Sequence, residues 1–135
     1  MANVGVIGAG SWGTALSVLL HKNGHQVTVW SIDENEVKML NEKREHESKL
    51  PGVKIPQDMV ITGDLEETVR GRDFLVMAVP SPFTRTTARK MKPYVAEGQI
   101  IVDVAKGIEE DTLLTLSRQI EEEIPQADVA VLSRP

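Results

Sequence analysis

Three glycines, Gly8, Gly10 and Gly13, follow the apolar run Val4-Gly5-Val6-Ile7 in the spacing G-x-G-x-x-G. This spacing suits the binding of a pyrophosphate. Gly8 permits a tight turn out of a strand, and Gly10 lets the backbone approach a ligand where any Cβ would intrude. Gly13 lets the following helix pack against the strand. The first-turn N–H groups of that helix have no intrahelical partners, and the helix dipole favours an anion beside them. With a strand before it and a helical pattern after it, the spacing is a dinucleotide-binding fingerprint. Ser11 and Trp12 lie inside the same loop.

A second group of candidates stands further along the chain. A site for NAD carries an acidic residue at the end of the second strand, about 20 residues past the glycines, to bond the ribose 2′-OH. Here that end reads Trp30-Ser31-Ile32-Asp33. Ser31 and Asp33 are the candidate ribose contacts, but Asp33 comes slightly late and also suits a helix N-cap, the reading we favour. No arginine stands there to clamp a 2′-phosphate, and the nearest is Arg44. These residues select neither NAD nor NADP. Pro80 and Pro82 either form a rigid wall against a nicotinamide ring or simply start a helix. Lys106 follows the run Val102-Asp103-Val104-Ala105. Its ammonium either bonds a carbonyl oxygen as hydride arrives, neutralises a substrate phosphate, or serves as an ordinary loop lysine.

Other charged residues point to structure. His21, His25 and His46 lack a metal-ligand spacing, and His21 and His25 read as surface residues around Gly24. Glu109, Glu110 and Asp111 suit a helix start, where negative charge complements the dipole. Glu121 to Glu123 read as a solvated face. The absence of cysteine excludes disulfides, thiolate metal sites and thiol nucleophiles.

The elements that must position these residues alternate. Strands are expected at Asn3 to Ile7, His25 to Trp30, Met59 to Thr62, Asp73 to Val79, Ile100 to Val104 and Val129 to Leu132. Helices are expected at Ser11 to Asn23 with Gly24 as cap, Asp33 to about Lys43, Leu65 to Val69, Pro82 to Lys92 and Asp111 to Ile124. Leu113, Leu114, Leu116 and Ile120 form the inner side of the last helix. The stretch Arg44 to Asp58, with Pro51, Gly52 and Pro56, reads as a loop. The near-continuous apolar run Phe74-Leu75-Val76-Met77-Ala78 marks a strand buried on both faces. The whole predicts an α/β fold of Rossmann type, a doubly wound, mostly parallel sheet with helices on both faces.

The chain of 135 residues is long enough for one domain, 1–135, with a proper core. A net charge of −5 argues against nucleic acid or an anionic membrane as partner. No apolar run approaches the roughly 20 residues of a membrane span. No basic, apolar export signal opens the chain, and a cytoplasmic protein is the expectation. Ending directly after its last strand, the chain reads as one domain of something longer.

Four segments together resemble one family. They are Gly8-Ala9-Gly10-Ser11-Trp12-Gly13-Thr14-Ala15-Leu16, Leu50-Pro51-Gly52, Ala78-Val79-Pro80-Ser81 and Lys106-Gly107-Ile108-Glu109. In order and spacing they are similar to the N-terminal part of bacterial NAD(P)-dependent glycerol-3-phosphate dehydrogenases. The resemblance covers essentially the whole chain. It implies interconversion of dihydroxyacetone phosphate and sn-glycerol 3-phosphate with NAD(P)H, the product feeding glycerophospholipid synthesis. It implies cofactor contacts at Ser11 and Trp12, and a place for Lys106 near both nicotinamide and substrate. It also implies a helical C-terminal domain, absent from these 135 residues, that carries a second catalytic lysine and most substrate contacts. The expectation is therefore cofactor binding with little or no turnover by this chain alone. A homodimer of the longer enzyme is a further expectation.

The chain departs from the family pattern in three places. Lys49 stands where an aromatic residue is common, Ile32 and Asp33 where basic residues are common, and Arg134 where the family has glycine. Two other readings remain: a related two-domain dehydrogenase with another substrate, and a non-catalytic module that senses redox state through a bound dinucleotide.

Overall fold

A computed structural model of the chain describes residues 1–105 and 115–132. Six strands form one sheet in the order β5-β2-β1-β6-β7-β8, with every neighbouring pair parallel. They are β1 (Asn3–Ile7), β2 (Gln26–Trp30), β5 (Val60–Thr62), β6 (Phe74–Met77), β7 (Ile100–Asp103) and β8 (Asp128–Val131). The order reverses between β1 and β6, the switch point where an open parallel sheet leaves a crevice at its carboxyl edge.

Alternation along the strands builds two cores. Val4 and Val6 of β1 join Val27, Val29 and Val76 on one face. Ile7 joins Leu75, Met77 and Ile101 on the other. The first face is covered by α1 (Ser11–Lys22) and α2 (Glu34–Lys43), whose Leu40 is buried there. The second is covered by α3 (Leu65–Val69), α4 (Thr84–Met91) and α5 (Leu116–Glu123), which deliver Val69, Met91 and Ile120. At Gly5 an added Cβ would collide with the Thr68 carbonyl, so glycine there lets α3 lie against β1.

Most of the expected elements are present, with their ends shifted by a residue or two. α1 ends at Lys22 with Asn23 as its C-cap, and Gly24 takes φ +93°. The expected helix from Pro82 is a 3-10 turn over Ser81–Phe83, then α4, then a second 3-10 turn over Lys92–Tyr94.

Three expectations are corrected. The stretch Arg44 to Asp58 is not simply a loop, because it folds into an antiparallel ribbon of β3 (Glu45–His46) and β4 (Leu50–Lys54). Its hydrogen bonds come from residues without a strand pattern. Arg44 adopts a left-handed φ of 51°, its carbonyl accepts from Ile55 N at 2.8 Å, and its guanidinium donates to the carbonyls of Gln57 and Met59. The last helix begins at Leu116, not Asp111, because extended Thr115 is its N-cap and accepts from Arg118 N at 3.4 Å. Leu116 and Ile120 are buried as expected, whereas Leu113, Leu114 and the run Glu109 to Asp111 lie outside the described residues. The Glu121 to Glu123 face is not merely solvated. Arg85 bonds Glu122 and Glu123, and Arg89 bonds Glu123, which clamps α5 to α4.

Candidate functional site

The turn from β1 into α1 is shaped by what its glycines leave out. Gly8 has φ +120°, and a Cβ there would lie 2.8 Å from the backbone of Ala78 and Val79. Its N–H donates to the Trp30 carbonyl at 2.9 Å, while Ala78 N donates to the Ile7 carbonyl at 2.9 Å. The turn is therefore fixed to the ends of both β2 and β6. A Cβ on Gly13 would land on the Gly8 carbonyl, so only glycine lets α1 start this close to the strand. Gly10 is different, since a Cβ there meets nothing within 4 Å.

The start of α1 also suits an anion. Side chains of Asp33, Asp64 and Thr115 cap α2, α3 and α5. The N-cap of α1 is Gly10, which makes no side-chain cap bond, and the first turn carries no acidic residue. An acidic cap would compete with a phosphate for the same N–H groups.

A cleft of about 170 Å³ opens beside this turn. Gly8, Ala9 and Gly10 form its floor. The end of β2 supplies Trp30, Ser31, Ile32 and Asp33 on one side, and the end of β6 supplies Val79, Pro80 and Phe83 on the other. An apolar pocket of about 100 Å³ continues from it between Ile32, Pro80, Phe83, Thr86 and Thr87. Ile32 and Phe83 are 69% and 58% exposed. Two large apolar side chains facing each other across a surface cleft suit a flat ring between them.

The β2 end is held by hydrogen bonds. Ser31 is buried and its Oγ donates to Glu36 Oε1 at 2.6 Å while accepting from Asp33 N at 3.1 Å. Asp33 Oδ1 accepts from Asn35 N at 2.9 Å and Glu36 N at 3.3 Å, so Asp33 is the N-cap of α2. Glu36 Oε2 reaches the ring of His46, a residue of the ribbon only 1% exposed. His46 Nδ1 accepts from Lys49 N at 3.3 Å, which leaves its Nε2–H to donate to Glu36. Lys49 then lines the cleft, its Nζ 3.6 Å from Glu36 Oε2.

Of the candidates read from the sequence, Gly8, Gly10, Ser31, Asp33 and Pro80 line this one cleft. Gly13 packs beneath it, and Ser11 and Trp12 are exposed on the first turn of α1. Pro80 stands against the β2 side, with Trp30 and Ile32. Lys106 and Arg134 lie outside the described residues. The residue preceding Lys106 by three is Asp103, a buried side chain at the end of β7. Burial pushes its carboxyl above the usual range, against a lowering bond from Ala105 N at 3.1 Å.

The histidines hold structure. His21 pairs with Asp58 at 2.7 Å and His25 Nδ1 accepts from Ala2 N at 3.0 Å. Among the described residues no cluster of three or more histidines and carboxylates has metal-site geometry. Also among them, no helix is long and apolar enough to cross a membrane.

Sequence reasoning missed Glu36, Lys49 and Phe83 as lining residues of this cleft, and the buried His46 that supports Glu36 and Lys49 from behind. Lys49 and His46 arrive by the ribbon, which glycine and proline had disguised as a loop. Glu36, three residues after a helix-capping Asp33, was the available signal.

Residues 3–135 match the family described as the NAD-dependent glycerol-3-phosphate dehydrogenase N-terminus. The chain is 63% identical over 135 residues to a glycerol-3-phosphate dehydrogenase [NAD(P)+] of Agathobacter rectalis, covering 100% of this chain and 40% of that protein. It is 47% identical over 137 residues to the enzyme of that name in Fusobacterium nucleatum, covering 100% of this chain and 41% of that one. A crystal structure of glycerol-3-phosphate dehydrogenase from Coxiella burnetii superposes with a TM-score of 0.91 at 28% identity, over 99% of this chain and 41% of that one. The chain thus spans about 40% of the length of the curated relatives it matches.

Proposed function

The chain belongs to the N-terminal family of NAD-dependent glycerol-3-phosphate dehydrogenases, and from that premise we propose that it is the NAD(P)-holding part of an enzyme interconverting dihydroxyacetone phosphate and sn-glycerol 3-phosphate. The observation that carries this reading is the turn at Gly10, open on its ligand side and closed at Gly8 and Gly13. The residues present fit a dinucleotide. Gly8, Gly10 and Gly13 shape the pyrophosphate seat, and the start of α1, capped by Gly10 with no side-chain bond and free of acidic residues in its first turn, offers it a favourable dipole. Ser31 and Asp33 stand where the adenosine ribose ends. Ile32, Pro80 and Phe83 suit the adenine, which moves Pro80 from the nicotinamide end suggested by its sequence to the adenosine end.

The bound cofactor supplies a hydride to the substrate carbonyl carbon. The chain's own residues orient and polarise. Lys106, one residue past Ala105 at the end of β7, is the catalytic candidate. Its ammonium would bond the carbonyl oxygen or the substrate phosphate, so that negative charge forming on oxygen is met by a cation. The buried Asp103 holds the loop that leads to it through Ala105 N. The relatives' remaining length supplies the rest of the substrate contacts, so these 135 residues bind cofactor with little turnover. A phosphorylated triose as substrate, a cytoplasmic location and dimer formation by the longer protein belong to the same reading.

The experiment has two arms. Titration of the 135-residue chain with NADH and NADPH, read by tryptophan fluorescence, gives saturable binding of at least one. A longer form carrying the family's helical part reduces dihydroxyacetone phosphate, and Lys106→Ala in that form loses activity while still binding cofactor. Brisk turnover by the 135 residues alone overturns the division of labour. Preference for another ketone substrate in a panel replaces the substrate assignment, and binding without turnover in the longer form points to a sensing module.

A further inference from the structure

On the reading that the cleft holds NAD(P), the ribose 2′ position lies at the end of β2, and that position is where NAD and NADP differ. Two carboxylates stand there, Asp33 and Glu36. A 2′-phosphate would meet both, so its acceptance depends on a cation. Arg44, the nearest arginine in sequence, is committed elsewhere, its guanidinium donating to the Gln57 and Met59 carbonyls at 2.7 and 2.8 Å. Among the described residues, the cation that lines the cleft together with Ser31 and Asp33 is Lys49.

Lys49 is fixed at its backbone and loose at its tip. Its N–H bonds the buried ring of His46, which bonds Glu36, which bonds Ser31 at the strand end. Its side chain is 54% exposed, and the ammonium makes a long contact of 3.6 Å to Glu36. So long a contact, open to solvent on the lysine side, is weak even though the Glu36 side chain is only 15% exposed. A phosphate dianion offers the ammonium a stronger, charge-assisted partner.

We propose that Lys49 reads the ribose 2′ position, swinging from Glu36 onto the 2′-phosphate of NADP and remaining on Glu36 when NAD is bound. It is a specificity residue, not a catalytic one. Without it, a 2′-phosphate faces Asp33 and Glu36 uncompensated, whereas the NAD diol loses nothing.

The test is titration of NADH and NADPH into the 135-residue chain and its Lys49→Gln, Lys49→Glu and Lys49→Arg variants. Loss of a charge-assisted bond in Lys49→Gln weakens NADPH about tenfold and leaves NADH within about twofold. Lys49→Glu weakens NADPH further, and Lys49→Arg retains it. Asp33→Asn, which keeps a capping side chain, tightens NADPH. NADPH affinity falls more steeply with salt in the wild type than in Lys49→Gln. Equal weakening of both cofactors in Lys49→Gln and Lys49→Arg makes Lys49 a ribbon residue only and overturns the assignment, as does no change in either. Wild-type chain that binds neither dinucleotide overturns the cofactor reading and this one with it.

Discussion

The floor of the cleft and its β2 wall reach similar precision by opposite means. The floor, Gly8 to Gly10 with Gly13 packed beneath it, is one short run of chain, positioned by side chains that are missing and by the backbone bond from Gly8 to Trp30. The wall gathers Ser31, Glu36, His46 and Lys49 through a line of side-chain hydrogen bonds. A floor made of absences admits no added atom where backbone faces backbone. A wall made of partners tolerates a changed atom but passes the change to the next partner. The first should therefore fail by steric collision and the second by loss of pairing.

The largest effect is expected on the floor. Gly13→Ala sets a Cβ on the Gly8 carbonyl, where no flexible side chain can give way. Overpacking of this kind costs about 3 kcal/mol or more, seen as a lowered urea midpoint. Gly8→Ala follows closely, with added strain from its φ of +120°. A fully stable Gly13→Ala chain would break the contrast at its root.

Next is the wall. His46→Leu keeps bulk at a site only 1% exposed but strands the Lys49 N–H and leaves Glu36 Oε2 to the long 3.6 Å contact with the Lys49 ammonium. Unpaired polar groups of this kind cost about 1–3 kcal/mol. The loss should reach the cleft as poorer discrimination between NADH and NADPH, because Lys49 loses its seat. Equal discrimination in His46→Leu would mean that the wall does not transmit.

Gly10→Ala separates the two kinds of glycine within the floor. Nothing lies within 4 Å of its added Cβ, so folding stability stays within about 0.5 kcal/mol of the parent. Cofactor affinity should fall about tenfold, since the Cβ occupies the ligand's side of the turn. A stability loss with intact affinity would reverse the assignment of that face.

The same contrast explains what could be read from the chain in advance. The floor was legible because its determinants are contiguous and each glycine has one steric role. The strands were legible because burial on both faces leaves apolar runs such as Phe74 to Met77. Even the capping role of Asp33 was favoured from the sequence, two residues before the Asn35 N–H it accepts from. The ribbon was not legible. Pro51 and Gly52 lie inside β4, and β3 is two residues long, so neither strand has a periodic pattern. What holds them is long-range, through Arg44 to Gln57 and Met59 and through His46 to Glu36. The start of α5 was placed too early because Leu113 and Leu114 extend its apolar stripe, while Thr115 takes the extended backbone of a cap.

The smallest expected effect is in acid, and it also divides the wall from the floor. Glu45 of the ribbon accepts from Gly52 N at 3.1 Å and from Lys54 Nζ at 3.0 Å. The Gly52 bond first, then Lys54, holds its carboxyl below the usual range. A depressed carboxylate stabilises the fold above its unfolded pKa, and the contribution is lost as pH falls through the depressed value. Hydrogen-exchange protection of the Gly52 amide should therefore decline in acid in the parent. In Glu45→Gln, which keeps an acceptor but cannot titrate, the decline should be absent. Thr14 N, bonded to the Gly10 carbonyl at 2.9 Å on the floor, should show no difference between the two proteins. The same acid dependence at Thr14 in the parent alone would mean that floor and wall open together, and the contrast between steric and paired construction would not describe how the cleft comes apart.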